Sequence, residues 1–194
     1  MSDRTDRTDC PGFEELAVAY HESGHAVSAV FVTPGLVIDA VTIVPADDYL
    51  GQYTLEDWRE TVVPDEDDED LGEISEHERQ YLGALDIVSA LGAVAEGMLR
   101  HGRADQPVTV GTGCDQENTY ANTEAVLEGD VFHKAGYYHG PGGLEIAGAL
   151  ALIDRHPEFW RAVSLVAGAL ICQKTLEGSE VEALVKTARG DDST

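Results

Sequence analysis

At 194 residues and 43% hydrophobic content, the chain is long enough for one domain with a real core. Twelve basic residues against 37 acidic ones give a formal net charge of −25, which repels nucleic-acid phosphates and anionic membranes, favours cationic peptides or partners, and also serves plain solubility. Cys10, Cys114 and Cys172 form no C-x-x-C pair, which argues against a disulfide scaffold and a cysteine zinc ribbon and points to a reducing cytoplasm.

Residues 1–10 read as an irregular polar tail without the apolar run of a secretory leader. Residues 11–188 read as one domain and 189–194 as a second polar tail. A helix is expected from Phe13. Pro11-Gly12 precedes it, Glu14 and Glu15 suit its first turn, and Thr33-Pro34-Gly35 ends it. Phe13, Leu16, Val18, Tyr20, Ala26, Val27, Val30 and Phe31 leave it little polar surface, so it should be buried on most sides.

Inside that helix lies His21-Glu22-Ser23-Gly24-His25, an H-E-x-x-H pentad. Residues i and i+4 of a helix share one face, so the two imidazoles can aim at a single ion. Glu22 sits about 100° around the helix from His21, near the ion without ligating it, and can accept a proton from water there. Zinc lowers the pKa of bound water to about 7, which makes a hydroxide nucleophile at neutral pH. Two histidines and a glutamate buried without partners would be costly, and a metal supplies one.

Val37 to Pro45 is rich in β-branched residues and reads as a strand, with a second short strand at Gly51 to Leu55 pairing across Ala46-Asp47-Asp48-Tyr49. The Val41–Val44 strand has two readings, packing against the pentad helix or offering an edge to an extended peptide. Asp65 to Asp70 is a run of like charge, so Glu56 to Glu73 reads as an exposed loop. A long helix follows from Ser75 to Arg100. Tyr81, Leu85, Val88, Leu91, Ala95 and Met98 mark its apolar face, and Gly83 and Gly92 allow a neighbour close.

His101 to Gly113 reads as a loop and Asp115 to Leu127 as a helix. Leu144 to Arg155 reads as another, and a further one opens at Pro157 and runs to about Leu176. Ser179-Glu180-Val181-Glu182 is a capping box for the last short helix. The longest apolar stretch, Ala162 to Cys172, is too short to span a bilayer, and no membrane anchor is expected. The expected architecture is mainly α (α+β), with a small β-element beside the pentad helix.

A catalytic zinc site usually has three protein ligands and one open position. Composition does not select the third, since many carboxylates, His101, His133, His139 and His156 all qualify.

The chain resembles the protease domain of the FtsH-type ATP-dependent zinc metalloproteases. Ala19 to Val27 is similar to that family's A-x-H-E-A-G-H-A signature. Val41-Thr42-Ile43-Val44-Pro45 with Leu50-Gly51 is similar to its strand and turn, and Ala90 to Glu96 to its L-G-G-R-x-A-E helix. Gly111-Thr112-Gly113-Cys114-Asp115 falls where the family has T-G-A-x-N-D, and Lys174 to Gly178 resembles its E-T-L-x-G. The likeness runs with gaps from about residue 13 to 187. The first motif is specific, whereas the rest are weak singly but occur in order.

The resemblance implies one zinc ion held by His21, His25 and Asp115, with Glu22 as the catalytic base. A helix N-cap is the other reading of Asp115. Glu96 is either an acceptor that fixes a ligand imidazole's tautomer or an ordinary ion-pair partner. The sequence departs from the family in having no Walker A loop, no ATPase domain and no transmembrane segment, with Ala93 at the family's arginine and Ala46 at its charged residue. The expected activity is therefore a zinc metallopeptidase, ATP-independent by itself, acting on short peptides or unfolded protein. The alternative is a zinc-binding interaction module on the same fold without proteolysis. Self-association and a separate partner protein both stay open.

Overall fold

The structure, a computed structural model, describes residues 12–32, 35–46, 50–55, 76–102 and 143–190. Helix α1 spans Phe13–Phe31, strand β1 Ile38–Thr42, strand β2 Gln52–Leu55 and helix α2 Glu76–His101. Then come helix α3 Gly143–Arg155, helix α4 Phe159–Gln173, strand β3 Thr175–Glu177 and helix α5 Gly178–Arg189. The described chain is mostly helical, with one antiparallel sheet in the order β2-β1-β3. The loops expected over 56–73 and 103–113, the helix expected over 115–127, Cys10, Cys114, Asp115, His133 and His139 lie outside the described residues.

Helix α1 is the axis of the packing. It touches α2, α4, α5, β1 and β2, and most of its length from Ala17 to Phe31 is buried. Its small residues are what allow this. Gly24 faces α2 so closely that a Cβ there would collide with the Leu91 carbonyl and stand 2.8 Å from Ala95 Cβ. The buried hydroxyls of Ser23 and Ser28 are satisfied within the helix, donating to the carbonyls of Ala19 and His25 at 2.5 and 2.8 Å. Around α1 the core collects Val88, Leu91 and Val94 from α2, Phe159, Val163, Val166 and Leu170 from α4, and Val181 and Val185 from α5. Each such side chain contributes about 1.5–3 kcal/mol on burial.

Strand β1 buries Ile38 and Val41, three positions apart, where strict alternation would place them on opposite faces. An irregularity in its pairing with β2 between Ile38 and Ala40 reconciles the two. Such a bulge resets which face later residues occupy, so both side chains reach the core.

Three sequence expectations need correction. The helix expected to reach Leu176 stops at Gln173, and Thr175–Glu177 forms β3 instead. Lys174 makes the break with φ 71°, its N–H donating to Leu170 O at 2.7 Å and its carbonyl accepting from Ile43 N at 2.9 Å. Thr175, β-branched and next in line, then meets Thr42 across the sheet, hydroxyl to hydroxyl at 2.8 Å. The capping box lies two residues earlier than expected: the Glu180 carboxylate accepts from the Glu177 backbone N–H at 2.9 Å, because the strand delivers the chain directly into α5.

The third correction concerns β1, which offers no edge to a peptide. β2 occupies one side and β3 the other, with Ala40, Val41 and Thr42 paired in both directions. Among the described residues, no helix is long and apolar enough to cross a membrane.

Candidate metal centre

The pentad sits at the buried middle of α1, where β2 and α2 approach from different sides. His21 and His25 stand one turn apart, their ring centroids 4.8 Å from each other and their planes inclined at 74°. His25 is 1% exposed and His21 9%. Each ring has its Nδ1 engaged by an oxygen on α2. His25 Nδ1 donates to the Val88 carbonyl at 2.8 Å, and His21 Nδ1 donates to Glu96 Oε2 at 3.1 Å.

The direction of those bonds follows from the acceptors. A carbonyl has no proton to give, and neither has an ionised carboxylate. Burial of Glu96 works against its ionisation, but hydrogen bonds from His21 and Arg100 outweigh it and bring the carboxyl below the usual glutamate value. In the neutral state both rings therefore carry their hydrogen on Nδ1 and their lone pair on Nε2. Outer carboxylate and carbonyl partners of this kind fix tautomer and ring angle in metal sites generally.

Around the His25 ring the fit is close. Tyr53 from β2 stacks on it with centroids 4.5 Å apart and planes 26° from parallel. Gly92 on α2 touches it too: a Cβ there would collide with Nε2 and Cε1 and come within 2.8 Å of Cδ2. The Glu22 side chain, 6% exposed, is covered in the same way by the residue leading into β2. A Cβ on Gly51 would stand 2.7 Å from Glu22 Cγ and 2.8 Å from Oε1. Gly51 and Tyr53, two positions apart and so on one strand face, thus cover the catalytic candidate and one imidazole together.

Behind His21 the polar contacts continue outward. Arg100 donates from Nε to Glu96 Oε1 at 2.6 Å, and from Nη1 and Nη2 to the two oxygens of Glu14 at 3.2 and 2.7 Å. The guanidinium also lies over the Phe13 ring, 5.3 Å from its centroid. The Glu14 bond, with smaller help from Glu96 and against burial, raises the arginine's pKa beyond its already high value. Glu14 in turn is lowered, chiefly by its bond from Arg100.

The structure thus brings together His21, Glu22, His25 and Glu96. The one Glu96 carboxylate meets both an imidazole and an arginine. His101 lies exposed at the end of α2, and His156 packs on Phe31 at 4.5 Å between centroids, so neither adjoins the pentad. Among the described residues no group of three His, Cys, Asp or Glu side chains is arranged to hold an ion. The third ligand implied by the resemblance, Asp115, falls outside them.

Sequence reasoning missed Arg100, Glu14, Tyr53 and the Val88 carbonyl. The i, i+4 spacing of Glu96 and Arg100 was a visible signal for the first. Nothing in the sequence announces a tyrosine stacked on an imidazole from a separate strand. No protein-family model matches the chain, and no curated protein matches it.

Proposed function

We propose that this chain is a zinc-dependent peptidase of the FtsH protease-domain type, acting on short peptides or unfolded segments. The observation supporting this is the placement of the two imidazoles: both are buried one turn apart on one helix, each with Nδ1 within hydrogen-bond reach of an oxygen on α2. Such a donor set suits zinc, for which neutral imidazole nitrogen is a preferred ligand.

His21 and His25 would hold the ion, with Asp115 as the third ligand on the strength of the motif resemblance. A zinc ion bound there would polarise the scissile carbonyl and bring the pKa of the attacking water to about 7. Glu22 supplies the proton traffic. Its carboxylate takes a proton from the attacking water and returns it to the departing amine nitrogen. That side chain lies buried against Gly51. Sheet and helix packing leaves the His25 imidazole little rotational freedom.

The test is Glu22→Gln in the purified chain, with zinc content measured beside hydrolysis of a denatured protein and a mixed peptide library. The variant should keep its zinc and lose hydrolysis by about 10²–10⁴-fold, the range for a general base. Undiminished turnover would remove Glu22 from the mechanism. A wild-type chain that binds zinc yet cleaves nothing would end the peptidase reading.

A further inference from the structure

We propose that Arg100 is a positioning residue for His21, acting through Glu96: it anchors the carboxylate that selects the tautomer and aim of that imidazole. The argument starts from how the Glu96 carboxylate is shared. Oε1 accepts from Arg100 Nε at 2.6 Å while Oε2 accepts from His21 Nδ1 at 3.1 Å. With one oxygen fixed by a cation, the other has a defined direction, and rotation of the carboxylate would break both bonds at once.

The guanidinium is itself held. Two parallel N–H groups meet both oxygens of Glu14 at 3.2 and 2.7 Å, and the Phe13 ring lies against the guanidinium. A planar fork bound on one side and stacked on another presents Nε to Glu96 in a single orientation. Glu14 and His21 both belong to α1, two turns apart, while Glu96 and Arg100 are one turn apart on α2. The four side chains therefore form a closed clasp between the helices, with the imidazole at its buried end.

Energetically the outer bond is minor, because Glu14 is largely exposed and such pairs contribute little to stability. The inner bond differs in kind. Glu96 is 7% exposed, and removing its cation would leave a buried carboxylate facing only a neutral imidazole. With its anchor gone, such a group is free to turn towards water, which releases Nδ1 of His21.

The experiment uses the full chain and two readouts. Imidazole ¹⁵N–¹H correlation spectra of the metal-free protein report which nitrogen of His21 carries hydrogen. Competition with a chelator reports zinc affinity. Arg100→Met should convert His21 from the Nδ1–H tautomer to a mixture and weaken zinc about tenfold, the lower end of the range for outer partners of metal ligands. In a Glu96→Ala background the same substitution should cost almost nothing further, because the effect passes through Glu96. Should Arg100→Met fold poorly, Arg100→Lys decides. It keeps the charge but not the fork, and should show the same change in smaller degree.

An unchanged His21 tautomer in both variants overturns the proposal, as does a loss in Arg100→Met that multiplies with that of Glu96→Ala. The zinc readout rests on His21 being a ligand; the tautomer readout does not. A chain that binds no zinc would therefore end the peptidase reading while the spectra still decide the role of Arg100.

Discussion

Gly83 and Gly92 lie on the same helix, and one substitution should act on them with opposite sign. At Gly92 a methyl group meets the His25 ring. Even Cδ2 would be only 2.8 Å from the new Cβ, well inside ordinary van der Waals contact, which begins at 3.4 Å. The ring cannot simply retreat, because Tyr53 stacks on it and its Nδ1 is bonded to Val88 O at 2.8 Å. Overpacking of this kind costs about 1–3 kcal/mol, and stretching the imidazole bond adds about 0.5–1.5 kcal/mol.

Replacing glycine inside a helix returns about 1 kcal/mol. Gly92→Ala should thus destabilise the metal-free chain by about 1–3 kcal/mol and weaken zinc binding through displacement of Nε2. At Gly83, exposed and with nothing within 4 Å of the added carbon, only the helix gain remains, about 0.5–1 kcal/mol of stabilisation. Gly168 in α4 is equally open and exposed and should behave like Gly83. Urea titrations at constant slope measure all three. A Gly92→Ala midpoint that rises alongside the other two would refute the close approach of α2 to the His25 ring.

Tyr53→Leu should lower zinc affinity by several-fold, since an aromatic pair contributes about 0.5–1.5 kcal/mol beyond its area, and Tyr53→Phe should preserve it. Equal losses by chelator competition would assign the effect to the hydroxyl rather than the ring. Lys174→Gly should stabilise the chain by about 0.5–1 kcal/mol by relieving a positive φ. The exposed Lys174–Glu15 pair that it forfeits is worth little, so a lowered urea midpoint would mean that contact matters more than the backbone. Acid should erase the contribution of Arg100. Glu14 and Glu96 both titrate below the ordinary glutamate value when folded, so their stabilisation is complete above about pH 4.3 and fades as pH falls through the lowered values. Thermal melts of metal-free wild type and Arg100→Met should therefore differ at pH 7 and converge as pH falls through those lowered values; a gap that widens in acid would contradict this.

Much of the fold was legible because its signals are local. α1, α2 and α3 carry long apolar faces and recognisable ends, and the β1–β2 pair follows β-branched runs around a polar turn. β3 was not legible. Its three residues follow an apolar helix with no glycine or proline between, and Lys174 breaks the pattern in a conformation that side chains rarely adopt. Its strand character comes from Thr42 and Val41, far away in sequence. The site divides likewise. The imidazole pair and Glu22 follow from helical periodicity, and Glu96 from its place in a motif. Tyr53 and the glycine contacts belong to tertiary packing, which no spacing rule encodes. Gly83 and Gly92 looked equivalent in the sequence, and only the neighbour across the helix interface separates them.

The sheet is closed by a strand that the ribosome delivers late. Thr175 joins Thr42 across a separation of 133 residues, so the second side of β1 is sealed only after a long intervening stretch of chain. Non-local pairings of this sort form slowly, after the contacts of neighbouring segments. The walls around the pentad therefore gain the support of β3 only after that long intervening stretch has been made. If the proposed hydrolysis takes place at the pentad, assembly in that order keeps the site blunt while the chain is nascent and extended, the state in which its own backbone would be the nearest thing to cut.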